Sequence, residues 1–297
     1  GGPQYSRAQR IARAARMHKR MSCLDYSAPV EMDAFEQGWA RCTFAFSREH
    51  RLAYLYIPKA GSSSIRRALR ETYHMRKDAG FPGHIGRESV FRPFAERKFS
   101  TDRPPATWEL ADMFKFTFVV DPVSHFVAGV CMRLRLVRKE VAATCDTVKA
   151  RPTHSSWATL TRIFEEYAAN IVRAYNGEKL KLDIHLAPQV WMLRAATECG
   201  FPHLNYVARL SKTTWQDLQY ILGKRHVNTT AALPRANDQN YSALTSEVFS
   251  RLQPSTYNAI CAILREEYVA LGVERRPDGL CFSKPASVAA APTAARP

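Results

Sequence analysis

No stretch of this 297-residue chain approaches the roughly 18 consecutive apolar residues of a membrane-spanning helix, so no span is predicted. The seven cysteines (Cys23, Cys42, Cys131, Cys145, Cys199, Cys261 and Cys281) contain no C-x-x-C pair. That argues against a structural zinc site, and no metal site is predicted. Their odd number and wide spacing suggest buried thiols, with one or two disulfides open to a chain in an oxidising compartment. There is no internal repeat, and no acidic residue precedes Asp25. The chain begins at Gly1 and not at Met, which leaves room for a targeting or anchoring segment ahead of it.

What is present is basic. Lys and Arg number 43 against 27 Asp and Glu, a net charge of +16. Hydrophobic residues make up 46% and charged residues 24%, a globular composition and not a disordered one. Residues 1–24 hold Arg7, Arg10, Arg13, Arg16, Lys19 and Arg20, which supply +6 and leave +10 for the rest. A field of that sign attracts phosphates, sulfated or acidic glycans, nucleic acid or acidic proteins. It serves equally as a solubilising surface. A nucleic-acid-binding module is a distant reading, since no motif beyond basicity supports it.

Along the chain, 1–24 is predicted to be a basic arm, either solvated or bound to a partner. Leu52-Ala-Tyr-Leu-Tyr-Ile57 is a compact apolar run closed by Pro58, the pattern of a buried strand. A helix from about Ser64 to Met75 follows. Residues 78–107 form a long Gly/Pro-rich loop. Phe114–Val120 is a second buried strand, and Asp121-Pro122 opens a helix running to about Arg138. Further helices are predicted at 155–175, 212–222 and 245–271, the last broken at Pro254 and stopped by Gly272. A short third strand falls at Leu204–Val207. Residues 25–283 make one domain, and 284–297 an Ala/Pro-rich disordered tail. Strands alternating with helices predict an α/β fold, a parallel sheet flanked by helices. Two N-x-S/T sequons, at Asn228 and Asn240, permit a secretory lumen.

Lys59-Ala-Gly-Ser-Ser-Ser64 carries the chemistry. A strand ending in a Gly/Ser loop that feeds a helix N-terminus gathers free N–H groups and the positive end of the helix dipole, and Lys59 adds a point charge. The nucleotide loop Gly-x4-Gly-Lys-Ser/Thr is absent, because here the Lys precedes the Gly. The alternative is a plain strand–helix turn capped by Ser63 or Ser64.

Ile57-Pro-Lys-Ala-Gly-Ser-Ser-Ser-Ile65 resembles the 5′-phosphosulfate loop of the Golgi carbohydrate sulfotransferases, the group with the heparan 2-O- and chondroitin/HNK-1-type enzymes. Phe116-Thr-Phe-Val-Val-Asp-Pro122 resembles the family's second strand and its Arg-Asp-Pro turn. Asp183-Ile-His-Leu-Ala-Pro-Gln189 is similar to its D-x-H-x-x-P-Q segment, and Tyr206–Leu218 to its late strand-to-helix passage. The resemblance runs over about residues 50–272 and implies the P-loop-like sulfotransferase fold.

The resemblance implies transfer of a sulfuryl group from 3′-phosphoadenosine 5′-phosphosulfate to a carbohydrate hydroxyl. It implies that Lys59 neutralises charge at the leaving phosphate, and that Gly61, Ser62, Ser63 and Ser64 hold the 5′-phosphate. His84, in the loop between the two strands, is the candidate base, and a surface loop histidine is the alternative. An imidazole titrates near neutrality, which suits proton abstraction. Asp121 is carried over with the nucleotide-binding turn. The segment holding His185 packs, in the family, against cofactor and substrate. Gln189 either bonds an acceptor or makes a structural hydrogen bond.

The second motif departs from the family's Arg-Asp-Pro-x-x-Arg-x-x-Ser-x-Tyr. Its first Arg and its Ser, which bind the nucleotide's 3′-phosphate, are Val120 and Ala128 here. His125, Arg133 and Arg135 on the following helix are candidates to compensate. The enzyme reading therefore stands beside a second: a catalytically inactive, sulfotransferase-like protein serving as a basic scaffold or binding subunit of a larger assembly. The expected location is the Golgi lumen by resemblance, or an organellar complex with the arm on an assembly partner.

Overall fold

Side chains on successive residues of a strand point to opposite faces, and that alternation decides the layering here. The computed structural model describes residues 44–47, 49–72, 111–137, 145, 154–178, 182, 185–198, 204–211, 214–225, 242–273, 275–276 and 278–282. Four strands, β1 (Phe44–Ser47), β2 (Leu52–Leu55), β3 (Phe114–Val119) and β4 (Tyr206–Arg209), form one sheet in the order β1-β2-β3-β4. β2, β3 and β4 run parallel, with Leu52 beside Phe114 and Phe116 beside Tyr206. β1 is an antiparallel edge strand, Phe44 opposite Leu55. The predicted α/β architecture, a parallel sheet flanked by helices, is what forms.

Leu52, Tyr54, Phe116, Phe118, Tyr206 and Ala208 face one side of the sheet. There they meet Ile65, Ala68 and Leu69 of α1 (Ser62–Thr72) and Leu218, Ile221 and Leu222 of α5 (Thr214–Gly223). Tyr54 stacks on Phe116 with ring centroids 5.3 Å apart. Ala53, Leu55, Val119 and Val207 face the other side. That side is covered by α2 (Pro122–Val137), α3 (His154–Tyr175), α4 (Gln189–Glu198), α6 (Ser242–Arg251) and α7 (Pro254–Leu271). Among them, α3 brings Leu160, Phe164 and Ile171 to the core, the stripe its periodicity predicts.

Several boundaries differ from the sequence reading. The third strand is Tyr206–Arg209, two residues later than expected, because Tyr206 and Ala208 share the aromatic face. α1 starts at Ser62 and not at Ser64. Residues 44–47 and the helix α4 had no prediction. Pro254 starts α7 anew after α6, and Gly272, at φ 58°, ends it by donating to main-chain carbonyls of the last turn. The basic arm 1–24, the 78–107 loop with His84, the asparagines of both sequons, the tail 284–297 and the two ends of the 25–283 domain lie outside the described residues.

Two disulfides form among the described residues, Cys131–Cys145 from α2 and Cys261–Cys281 from α7 to the segment after it. The second closes a loop of 20 residues that holds Arg276. No described helix is long and apolar enough to cross a membrane.

Gly129 of α2 lies where a Cβ atom would fall 2.0 Å from the main-chain oxygen of His185, and main chain has no room to yield. Gly223 of α5 has nothing among the described residues within 4 Å of such an atom. Gly129→Ala should therefore lower the melting temperature steeply or abolish folding. Gly223→Ala should leave it level or raise stability by up to about 1 kcal/mol through helix propensity. Thermal denaturation of the two variants checks this pair.

Candidate functional site

The carboxyl ends of β2 and β3 lie side by side, so the loop after β2 and the turn after β3 meet at one edge of the sheet. In an open parallel sheet that edge is where ligands gather. After β2 the chain buries Ile57 and Pro58, then reverses through Lys59 at φ 63° and Gly61 at φ 69°. Left-handed backbone is natural for glycine and costs a lysine about 1–3 kcal/mol. Gly61 has a second reason to lack a side chain. A Cβ there would lie 2.5 Å from the Leu210 side chain, at the end of β4.

The first main-chain bond of α1 runs from the Ile65 N–H to the Gly61 carbonyl, at 3.0 Å. A helix gives the N–H groups ahead of that bond no acceptor of its own, and they point back at the loop. The positive end of the dipole falls at Ser62, Ser63 and Ser64, with Lys59 half-buried beside them. Ser62 and Ser64 are buried, and Ser63 is exposed. Lys59, Gly61 and the three serines thus occupy one strand–loop–helix junction. Its chemistry suits an oxyanion. Arg209, half-buried, ends β4 at the same edge.

Across from this loop sits the turn Val120-Asp121-Pro122. Asp121 is buried, and its carboxylate is taken up within the protein. Oδ1 accepts the Ser124 N–H at 2.8 Å, which caps α2, and lies 3.1 Å from the Arg276 guanidinium; Oδ2 accepts the Tyr268 hydroxyl. Arg276 also donates to Ser124 Oγ at 2.9 Å and pairs with Asp278. Burial opposes the Arg276 charge, but its hydrogen bonds to Asp278 and Asp121 outweigh it and hold the guanidinium charged. Burial, then the adjacent Asp121 charge, push the Tyr268 phenol well above its usual range. Asp121 therefore shapes the turn and anchors it to the C-terminal segment.

The position of the family's second Arg is His125, one helical turn into α2. It is 2% exposed, and Nε2 lies 2.9 Å from the Pro58 carbonyl oxygen. Burial pushes the imidazole down to about 4, against the Pro58 bond, with small further effects from His185 and Lys59. His125 is neutral near pH 7 and pins α2 to the loop. It does not supply the compensating positive charge expected of it. Val120 is packed against the core and Ala128 is buried.

Gln189, which opens α4, is fully buried and its amide bonds are structural. Its Oε1 accepts the Val120 N–H at 2.9 Å, and its Nε2 donates to the Val120 carbonyl at 3.0 Å. The side chain thus pairs with Val120 as another strand would. Glu267 of α7 receives both the Gln189 N–H, at 2.7 Å, and Nε2, at 3.0 Å, on Oε1. Its Oε2 is buried with no hydrogen-bond partner among the described residues. Burial pushes this carboxyl up to about 7; the Gln189 bonds oppose the shift, and the Asp121 charge adds to it.

Five of the predicted site residues, Lys59, Gly61, Ser62, Ser63 and Ser64, come together, and Asp121 faces them across the edge. His84 and Asp183 lie outside the described residues. Among the described residues no group of three or more His, Cys, Asp and Glu side chains could hold a metal ion. Sequence reasoning missed Glu267, Tyr268 and Arg276. Their partners at the edge lie 78, 147 and 155 residues away, and no local pattern announces them.

His125 and Glu267 carry opposite pH signatures. The folded chain holds the His125 proton more weakly than the unfolded chain, so stability is lost as pH falls from about 6.5 towards about 4. It holds the Glu267 proton more tightly, so stability is lost as pH rises from about 4.5 to about 7. Glu267→Gln removes only the second effect. Melting curves of parent and variant should diverge in the variant's favour across that rise, by about 3 kcal/mol in total. A constant difference would show that Glu267 does not titrate there.

No curated protein and no solved structure matches the chain. A family model does: the one described as the Sulfotransferase family matches residues 43–272. That span takes in the sheet, the Lys59 loop, the Asp121 turn and α7. With well over half its length matched, this chain belongs to the sulfotransferase family.

Proposed function

We propose that the chain moves a sulfuryl group from 3′-phosphoadenosine 5′-phosphosulfate to a carbohydrate hydroxyl. The observation that carries this reading is the Lys59 junction. A strained lysine, a glycine and three hydroxyls stand at a helix N-terminus on the carboxyl edge of parallel strands, in a chain of this family. Such a junction suits the 5′-phosphosulfate end of the donor.

The donor supplies an activated sulfuryl group whose bond to the 5′-phosphate breaks as the acceptor oxygen bonds to sulfur. Lys59 would offset the charge growing on the departing phosphate oxygen. The N–H groups and hydroxyls of Ser62–Ser64 would hold that phosphate in place. His84 would take the proton of the acceptor hydroxyl. At the 3′-phosphate end the family's contacts are absent. Val120 and Ala128 are apolar, and His125 is neutral and bonded to Pro58. These three positions are what a non-catalytic scaffold subunit would carry, and that is the reading we set aside. The family match does not favour it.

The two disulfides suit an oxidising lumen, and with the family they support a Golgi location. The excess of basic residues suits an acidic glycan acceptor. The arm 1–24 would make its contacts with an assembly partner or with solvent.

Calorimetric titration with adenosine 3′,5′-bisphosphate and a sulfate-transfer assay on glycan acceptors test the proposal. Lys59→Ala should lose both binding and transfer. His84→Ala should keep binding and abolish turnover, because a base acts on the acceptor. Binding without transfer to any glycan would return the scaffold reading.

Restoring the family residues gives a further test. Val120→Arg with Ala128→Ser should tighten nucleotide binding by roughly 10²-fold or more, from two charge-assisted contacts of about 1.5–3 kcal/mol each. Unchanged affinity would mean that other groups already hold the 3′-phosphate.

A further inference from the structure

Two neighbours on α7 hold two neighbours at the sheet edge. Glu267 anchors Gln189, which is bonded to both main-chain groups of Val120. Tyr268, the next residue, donates to Asp121, the next residue of the turn. One turn of a distant helix thus fixes the two residues that open the β3–α2 passage. Gln189 bonds to main chain, so the arrangement is indifferent to which side chain stands at position 120. A core needing only stability would place an apolar pair here. Instead Glu267 buries a carboxyl whose Oε2 has no hydrogen-bond partner of good geometry among the described residues, with the Val190 N–H nearby and Asp121 close enough for their charges to oppose. A buried polar group left half-satisfied costs stability, and such costs gather at functional positions.

We infer that Gln189 and Glu267 are positioning residues of the donor site, Glu267 fixing the Gln189 amide and Gln189 fixing the main chain of Val120 where the nucleotide docks. This rests on the donor reading above. Neither residue touches the reacting atoms. Their influence runs through the placement of the turn that faces the Lys59 loop.

The arrangement also links donor binding to a proton. Among the described residues, the charge acting on Glu267 is that of Asp121 from the turn, which is itself paired with Arg276 of the C-terminal segment. Tyr268 is the titratable neighbour on its own helix. His125 on α2 stays neutral above about 4. A nucleotide phosphate brings more negative charge to the edge. Glu267 without its proton should therefore oppose binding, and Glu267 with its proton should not.

The test is calorimetric titration of the full chain with adenosine 3′,5′-bisphosphate at several pH values from about 6 to about 8, beside melting temperatures. Gln189→Ala should raise Kd by about tenfold or more, from the loss of both its bonds to the Val120 main chain. Leu160→Ala removes a buried side chain of another helix, α3. It should lower the melting temperature and leave Kd within about twofold, which separates lost stability from lost position. Parent Kd should rise with pH more steeply than that of Glu267→Gln; titration of the nucleotide itself is common to both and cancels. Parental Kd in Gln189→Ala overturns the inference and leaves the donor reading standing. If Gln189→Ala does not fold, the Glu267→Gln comparison decides, and identical pH slopes overturn the inference. No binding by the parent overturns both, since a site that takes no donor has nothing to position.

Discussion

A carboxylate that has left water needs partners on every side, and Asp121 finds them in three separate parts of the chain. The Ser124 N–H comes from the helix it caps, the Tyr268 hydroxyl from α7, and the Arg276 guanidinium from beyond that helix. Replacing a buried ion pair with apolar residues is often neutral for stability, whereas stripping one partner from it is severe. The pair is therefore poor evidence of raw stability and good evidence of placement. Through it, the turn after β3 cannot move without moving the segment that follows α7.

The same edge shows how the protein distributes conformational cost. Lys59 holds a left-handed backbone that a lysine does not choose, and the surroundings enforce it. Leu210 presses on Gly61, His125 is bonded to Pro58, and Ile57 is sealed in the core. His125 illustrates the trade at the level of a single residue. A side chain that could carry charge is kept neutral by burial, and its work is to tie α2 to the loop. Charge at the edge comes from elsewhere, from Lys59, from Arg209 and from the dipole of α1.

Much of this was legible in the sequence, for physical reasons that differ by element. β2 and β3 announce themselves as apolar runs bounded by proline, because strands buried on both faces have no polar side to show. The Lys59 junction is legible because its residue types are jointly demanded by a tight turn and an anion. β1 is four residues at an open edge and leaves no period to detect. α4 begins at Pro188-Gln189 after a segment that reads as irregular, and its helical run is only 10 residues. Glu267 and Arg276 sit among ordinary charged residues near the C-terminus, and only the fold reveals which of them face inward. His125 fails in the opposite way: its identity suggested a cation, and burial, which no single sequence displays, made it neutral.

The Asp121–Arg276 bond joins residues 155 positions apart. During vectorial synthesis β2, α1, β3 and α2 all leave the ribosome well before Arg276 exists. Contacts of such high sequence separation form late, because loop closure must be achieved first. The anion-binding loop and its sheet can assemble early, with the opposing turn incomplete until the last segment docks. A nascent chain would thus carry an acid without its counter-charge while the next 155 residues are made, and it would be exposed to misassembly over that interval. The Cys261–Cys281 bridge closes around Arg276 itself, so oxidation and docking of the segment after α7 would reinforce each other as late folding events.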